Sequence, residues 1–306
     1  QEALNDVRNS LETLASFLHS GDQMVDETPR KGKIIAIGGA KGGIGKSIVV
    51  ANLSVLLASK GFRVTAVDLD LGGANLHLCL GNKVLLQNNI NDFLRKRVDS
   101  LQDIVIKSEY GPYLIGGDSA QLGAANIDFG RKLKLLKAVE NLNSDFIILD
   151  LGGDTSYNII DFFLKADYGI VMTTRESASY IGAYHFLKAA MYRRFNRLFG
   201  PESKFRMYKN HQLEQLIREM MNPASGEWPK SIHDLLERVR QEQPDHFPFM
   251  NEVVDNFRSY LVVNKVPNRL LGSFDVNPII TRIQQVTKTW LAKEVTYLGS
   301  ISFQPE

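Results

Sequence analysis

A glycine-rich stretch with two lysines and a serine is the part of the chain best suited to bind phosphate. It spans residues 38–47, GGAKGGIGKS, between the apolar residues 33–37 and a helical pattern. Glycines let consecutive backbone N–H groups face one anion, and the N-terminal end of the next helix adds positive potential. In such a loop Lys46 reaches the β- and γ-phosphates of a nucleotide, and Ser47 holds Mg²⁺. A turn that binds nothing is disfavoured, because strand, glycines, lysine, hydroxyl and helix occur in order. The residues expected to contact the nucleotide are Gly42, Gly43, Ile44, Gly45, Lys46, Ser47 and Ile48.

Two carboxylates follow the next apolar run. Asp68 and Asp70 leave a predicted strand on the same face, because alternate residues of a strand share one face. Taken alone, they fit solvated turn residues equally well, but their position after the phosphate loop favours a role in the site. Such carboxylates order Mg²⁺-bound water or position an attacking water.

A third carboxylate, Asp150, ends the apolar residues 146–149. Apolar residues followed by aspartate are a weak signal alone, and the spacing after the first two motifs strengthens it. Asp150 is expected to bind Mg²⁺ through a water, and the N–H of Gly152 or Gly153 to contact the γ-phosphate. A loop held by that contact is released when hydrolysis removes it. The predicted metal ligands are Ser47, Asp68 and Asp150, and Gly153 is the predicted nucleotide contact.

Short β-branched strands alternate with helical stretches from residue 33 onward. This alternation predicts an α/β fold with a doubly wound, mostly parallel sheet and helices on both faces. The predicted strands are 33–38, 63–68, 112–116, 145–150, 168–173, 259–264 and 296–301. The predicted helices lie near 46–59, 128–141, 156–165, 177–199 and 276–293. Ligands of such sheets bind beyond the carboxyl ends of the strands, so we expect one site there.

Composition excludes several classes of protein. The chain has 306 residues, 44% of them hydrophobic, and a formal net charge of +2, so its overall charge does not favour nucleic acid. The single cysteine, Cys79, excludes a disulfide framework and a cysteine-only metal site within one chain. No apolar run approaches the roughly 18 residues of a membrane span, and no secretory signal is recognised. We expect a cytoplasmic protein; a location at the membrane periphery or the nucleoid is left open.

Two segments depart from the alternation of strands and helices. Residues 1–30 are expected to form an N-terminal helix and linker, because apolar residues recur at steps of three and four. A helix that packs on its own domain and a helix that binds a partner or mediates dimerisation are equally favoured. Residues from about 200 to 256 are polar and proline-rich, which indicates a helical insertion in the domain of residues 31–306. A passive excursion and a cap or partner surface are equally favoured for it.

The phosphate loop differs from the common P-loop pattern by Ala40 and by a second lysine, Lys41. The form KGGxGK[ST] resembles the deviant Walker A motif of the MinD/ParA family. Residues 70–76, DLGGANL, are similar to the form in its MinD and FlhG/FleN branch. The resemblance covers residues 33–199 and 257–306. It implies ATP and Mg²⁺ as the bound groups and an ATP-sandwiched homodimer in which Lys41 neutralises phosphate charge.

The resemblance implies roles for three more residues. Asp70 would organise hydrolysis, Asn75 would lie near the nucleotide, and Asn264 would read the adenine. An asparagine amide suits a base edge because it offers both donor and acceptor, and the ordinary alternative is an asparagine that ends a strand in a turn. The catalytic residues expected are Lys41, Lys46 and Asp70.

The resemblance also implies an ATPase that slowly converts ATP to ADP and phosphate. It would act as a dimerising switch that controls positioning or assembly of a cellular structure. The alternatives are a ParA-like ATPase that binds nonspecific DNA, and a partner-docking module whose dimer state ATP sets. A protein partner is expected through the N-terminal helix or the insertion; a membrane or DNA surface is left open. Residues 95–97 and 191–199 are candidate cationic patches, although a helix with its arginines in water is favoured for the latter.

Overall fold

The strands of the described chain form one eight-stranded sheet. The computed structural model describes residues 32–70, 73–82, 86–117, 127–199, 211–221, 231–267 and 275–303, so the predicted N-terminal helix of residues 1–30 lies outside them. The strands are β1 (Lys33–Gly38), β2 (Val64–Leu69), β3 (Ile106–Lys107), β4 (Tyr113–Ile115), β5 (Phe146–Leu151), β6 (Tyr168–Thr174), β7 (Ser259–Pro267) and β8 (Thr296–Phe303). Their order is β3-β4-β2-β5-β1-β6-β7-β8, and among these strands only the β3–β4 pair is antiparallel. The predicted doubly wound, mostly parallel sheet is confirmed.

The helices predicted between the strands are present, with ends within two residues of the predicted ones. The described helices are α1 (Lys46–Ser59), α2 (Leu76–Cys79), α3 (Ile90–Leu94), α4 (Phe129–Glu140), α5 (Tyr157–Lys165), α6 (Ser177–Phe199), α7 (His211–Met221), α8 (Ile232–Glu242), α9 (Phe247–Asp255) and α10 (Asn277–Leu291). The described chain contains no helix with the length and hydropathy that crossing a bilayer requires.

Helices on opposite faces of the sheet leave a crevice beside β1. α1 follows β1 and packs on one face through residues such as Val50 and Leu53. β5 and β6 flank β1, and the helices that follow them, α5 and α6, pack on the other face through Phe162 and Phe186. The segments that follow β1 and β5 therefore run to opposite faces of the sheet, and the space between them is the ligand crevice typical of this sheet class.

The central strands β2 and β5 are buried along their whole length. Strands covered on both faces are expected to be continuously apolar, and these two are apolar or uncharged except at one position each. The exceptions, Asp68 and Asp150, face each other in the β2–β5 register. Because an uncompensated buried charge is unfavourable, this pair indicates a functional site.

Strand β7 is longer than the sequence predicted. The expectation that Asn264 ends the strand is wrong, because β7 continues to Pro267 through an irregularity in its pairing with β8 between Val263 and Val266. The apolar residues 261–263 are followed by the polar Asn264 and Lys265, so the end of the strand could not be located from the sequence pattern.

A buried cluster of charges, the Asp161 cluster, joins α4, α5 and α6. Asp161 is fully buried and accepts two hydrogen bonds from Arg193, from Nε at 2.8 Å and from Nη2 at 3.0 Å. Lys132 forms an ion pair with the same carboxylate, and Arg197 lies 3.7 Å from it. Arg193 is only 3% exposed, so both the predicted cationic patch at residues 191–199 and the alternative with arginines in water are wrong at this position.

Three α-helices occupy the described part of the predicted insertion. α7, α8 and α9 bury apolar side chains in the same core as α6; examples are Leu213, Ile217, Leu235 and Met250. This region therefore contributes to the core on the α6 face. The exact limits of the insertion, about 200 to 256, stay a prediction.

Candidate functional site

The loop between β1 and α1 has the backbone of an anion-binding nest. Gly43 and Gly45 adopt φ values of 73° and 90°, which side chains disfavour, and Gly45 is the N-cap of α1. A Cβ atom at Gly42 or Gly43 would meet no atom within 4 Å, so the loop is open on that side. Within the described chain, no carbonyl or side chain accepts a hydrogen bond from the N–H groups of residues 42–48. Unpaired amides at a helix N-terminus are ready to bind phosphate oxygens.

Lys46 lies inside this loop. Its side chain is 7% exposed, and Nζ donates to the carbonyl oxygen of Lys41 at 3.2 Å. Burial lowers the pKa of Lys46, and the charges of Asp150, Asp70 and Asp154 oppose that shift. A bound phosphate would add negative charge beside this ammonium group and so stabilise its protonated form.

Lys41 occupies the solvent side of the loop. Its ammonium group forms an ion pair with Glu176, which follows the end of β6, and both side chains are substantially exposed. The hydrogen bond from Lys41 and its charge lower the pKa of Glu176. Sequence reasoning missed Glu176 because 135 residues separate it from Lys41; its position just beyond a strand end was the available signal.

Asp150 has the properties expected of a magnesium ligand. It is 1% exposed, and neither carboxylate oxygen has a hydrogen bond of normal geometry within the described chain. Burial raises its pKa to about 6, against the opposing effects of the Ser47 hydroxyl and the Lys46 charge. Buried carboxylate oxygens without partners fit Mg²⁺, which prefers oxygen ligands and retains several waters. The described residues contain no group of three or more His, Cys, Asp or Glu side chains that could hold a metal, so water and phosphate oxygens would complete the shell.

The Asp68 carboxylate binds the backbone of the loop that follows β2. Its two oxygens accept from the N–H groups of Asp70 at 3.1 Å and Leu76 at 3.0 Å. Burial, followed by the charge of Asp150, raises the pKa of Asp68 to about 8. Of the two predicted carboxylate ligands, Asp150 is therefore the one with unengaged oxygens; Asp68 orients the loop that carries Asp70.

The loops after β2 and β5 meet the phosphate loop. A Cβ atom at Gly153 would lie 2.9 Å from the backbone nitrogen of Gly42, so only glycine permits this approach. A Cβ atom at Gly152 would lie 3.5 Å from Asp70 Oδ1, which places that carboxylate beside the same loop. Asn75 is exposed, and its Nδ2 donates to the carbonyl oxygen of Gly73 at 2.7 Å. The structure therefore brings the predicted P-loop, Asp70 and Gly153 together at one edge of the sheet.

The end of β7 contacts the phosphate loop from the other side. Asn264 is 8% exposed, and its Nδ2 donates to the carbonyl oxygen of Ile44 at 2.7 Å. Lys265 Nζ donates to the carbonyl oxygen of Gly43 at 2.8 Å. The adenine-reading role of Asn264 stays a prediction. Sequence reasoning gave Lys265 no role.

Asp150→Asn is expected to stabilise the protein in the absence of nucleotide and metal. The pKa of Asp150 is about 6 in the fold and about 3.9 in an unfolded chain, so only the folded state holds the proton between these values. Stability therefore falls as pH rises from about 4 to 6 and stays lower above that window. The substitution should raise the free energy of unfolding by about 2 kcal/mol at pH 7 and by little at pH 4.

Urea unfolding at the two pH values measures this difference. Asp154→Asn is the matched control, because Asp154 is exposed in the same loop and asparagine can still accept from the Ser156 N–H. An Asp150→Asn protein that is less stable than wild type at pH 7 contradicts the conclusion that burial of the ionised Asp150 destabilises the fold.

The sheet, the glycine loop and the buried carboxylates define a nucleotide-binding protein of the P-loop class. A family model described as AAA domain matches residues 32–197, which is more than half of the chain. The chain belongs to the MinD/ParA family of P-loop ATPases.

Similar proteins are known by name. Over 158 residues the chain is 34% identical to the flagellum site-determining protein YlxH of Helicobacter pylori, covering 51% of this chain and 53% of that protein. It is 27% identical to the antiactivator FleN of Pseudomonas aeruginosa, covering 58% of this chain and 61% of that protein. The chain thus spans between half and two thirds of the length of these relatives.

A solved structure shows the same fold over most of the chain. A chain of the MinC:MinD cell division protein complex of Aquifex aeolicus matches with a TM-score of 0.55 and 19% identity. The match covers 89% of this chain and 82% of that chain. At this identity the match is informative about the fold alone.

Proposed function

We propose that this protein is an ATP- and Mg²⁺-dependent dimerising switch that hydrolyses ATP slowly to control positioning or assembly of a cellular structure. The observation that carries the proposal is the meeting of three loops at one edge of the sheet, where Gly153 packs on Gly42 and Asp70 lies beside Gly152. A loop that contacts both the phosphate loop and the hydrolytic aspartate responds to the presence of a γ-phosphate.

The protein's own groups suit each stage of this cycle. The amides of residues 42–48 and Lys46 would bind the phosphates, and Ser47 and Asp150 would hold Mg²⁺, which neutralises charge between the β- and γ-phosphates when bound. Asp70 would position the attacking water. In the free chain Lys41 is paired with Glu176, and in the proposed dimer a phosphate bound to the second copy would compete with that carboxylate for the ammonium group.

Exposed apolar side chains around the same edge support dimerisation. Large apolar residues are 48–59% exposed in the first two turns of the helices that begin there: Ile48, Leu78, Tyr157 and Ile181. Apolar side chains grouped around a polar site are typical of a surface that a partner covers. A second copy of the chain would bring its own Lys41 to this surface.

The output of the switch is inferred from the relatives. Proteins named as flagellum site-determining and septum site-determining are among the similar sequences, and FleN is named an antiactivator. We propose positioning as the general output, in the cytoplasm, with a protein partner docked through the N-terminal helix or the helices α7–α9. A role in binding DNA through residues 191–199 is not proposed, because Arg193 is buried in the Asp161 cluster.

Light scattering with ADP and with Mg²⁺-ATP tests the switch. The wild-type mass is expected to double with Mg²⁺-ATP and stay monomeric with ADP. Lys41→Ala should bind ATP yet remain monomeric, because Lys46 and the loop amides still hold the phosphates. Lys60→Ala is the matched control, since Lys60 is exposed at the opposite end of α1. A wild-type mass that does not respond to a nucleotide that measurably binds would contradict the dimerising switch.

A further inference from the structure

An irregularity near the end of β7 redirects two side chains towards the phosphate loop. The pairing of β7 with β8 shifts between Val263 and Val266, and Lys265 adopts a φ of 56°. This left-handed conformation is unfavourable for a residue with a side chain. A bulged strand bends and re-aims its side chains, so Asn264 and Lys265 leave the regular alternation of the sheet.

Both side chains donate hydrogen bonds to consecutive carbonyl oxygens of the loop. Asn264 Nδ2 lies 2.7 Å from the oxygen of Ile44, and Lys265 Nζ lies 2.8 Å from the oxygen of Gly43. The approach of Asn264 requires Gly45, because a Cβ atom there would lie 2.4 Å from Nδ2. Glycine is therefore favoured at position 45 for two reasons. Its φ is 90°, and a larger residue would prevent the contact with Asn264 of β7.

These bonds fix the direction of two loop amides. In a planar trans peptide the C=O of one residue and the N–H of the next point in opposite directions. The carbonyls of Gly43 and Ile44 face β7, so the N–H groups of Ile44 and Gly45 face away from it. No described residue accepts from either N–H, so both remain available to an anion.

We propose that Asn264 and Lys265 are positioning residues that orient the amides of Ile44 and Gly45 towards the phosphates of the bound nucleotide. The proposal rests on the proposed function and adds to it two residues that act through the loop carbonyls. The strained backbone of Lys265 is then maintained by its bond to Gly43.

Binding of ATP and of inorganic tripolyphosphate separates positioning from base recognition. Lys265→Met keeps the aliphatic stem but removes the donor, and Asn264→Leu keeps a similar volume without the amide. Each is expected to weaken both ligands about tenfold, because oriented amides serve phosphate with or without a base. Lys107→Met, on an exposed lysine of β3 at the sheet edge, should bind both ligands as wild type does.

Binding measurements at high salt distinguish a role of Lys265 in orienting the loop from an effect of its charge alone. At about 1 M salt the Debye length is about 3 Å, so an effect of the Lys265 charge alone would disappear, whereas the ratio of wild-type to Lys265→Met affinity should persist. Lys265→Gly gives an independent readout. It relieves the left-handed backbone, so the unfolding midpoint of the free protein should rise while tripolyphosphate binding weakens. A purely structural role would move both in the same direction.

The outcomes that overturn the proposal are specific. Weakened ATP binding with unchanged tripolyphosphate binding would show that these residues recognise the base. A loss of affinity in Lys265→Met that vanishes at high salt would show that Lys265 acts through its charge alone. Variants that bind both ligands like wild type would also overturn it while leaving the proposed function intact. A wild-type protein that binds neither ligand would contradict the proposed function itself.

Discussion

Asp161→Asn is expected to lower the free energy of unfolding by about 3–5 kcal/mol. Asparagine has nearly the same shape but no charge, so the buried Lys132 and Arg193 would lose the carboxylate that they share. Breaking a buried ion pair from one side costs much more than an exposed pair contributes, because the remaining charge has lost its hydration. The cluster joins three helices, so the loss should appear in the cooperative unfolding of the sheet and its α4–α6 layer.

Urea unfolding at pH 7 measures the change. Glu237→Gln is the control, because Glu237 lies 4.0 Å from Arg240 and both are exposed, so its removal should change stability by less than about 0.5 kcal/mol. The pH dependence gives a second signature. Burial alone would raise the pKa of Asp161, but its bonds with Arg193 and Lys132 lower it overall. The stabilisation is therefore complete above about pH 4, the unfolded value, and is lost as pH falls through the lower folded value. Equal stability of wild type and Asp161→Asn at pH 7 would show that the cations find other partners.

Asp70→Ala is expected to slow ATP hydrolysis by about 10²–10⁴-fold while ATP binding is retained, because a positioned carboxylate contributes to the chemical step. The Asp70 carboxylate lies beside Gly152 and Gly73. Its charge acts on Lys46 in the same sense as that of Asp154. Removal of that charge alone should not weaken phosphate binding.

Single-turnover hydrolysis and equilibrium ATP binding measure the two quantities separately. Asp154→Ala is the matched control, because it removes another carboxylate near Lys46 from a position with no proposed part in the chemistry. Light scattering should show that Asp70→Ala remains dimeric with Mg²⁺-ATP for longer than wild type does. Normal turnover in Asp70→Ala, or an equal loss in Asp154→Ala, would remove Asp70 from the catalytic residues.

Local sequence pattern was sufficient for the elements and for the phosphate loop. The β-branched runs and helical periodicity predicted the strands and helices of the nucleotide domain, since both signals repeat over short distances. The positions of the glycine loop after β1 and of Asp150 near the end of β5 were predicted for the same reason, because their spacing after strands is local. The two-residue strand β3 was missed because it is too short to carry a period.

Contacts between residues that are far apart in the sequence could not be predicted from local patterns. Lys265 and Gly43 are 222 residues apart, and no local pattern indicates that a lysine after a strand asparagine returns to the loop. The burial of Arg193 was missed because its counter-ion, Asp161, lies 32 residues earlier. In both cases a charged side chain was assigned from its neighbours in sequence, whereas its partner in space determines its position.

The length of α6 would allow the proposed switch to transmit movement over a distance. The helix begins beside Glu176 at the nucleotide edge and extends without interruption for 23 residues, about 35 Å, to the region where α7–α9 pack. A tilt of about 5° at its first turn would displace its far end by about 3 Å. Arg193, in the C-terminal half of α6, links this helix to the Asp161 cluster through its two hydrogen bonds with Asp161. A small movement of the residues around the γ-phosphate would therefore produce a larger displacement at the far end of α6, remote from the nucleotide.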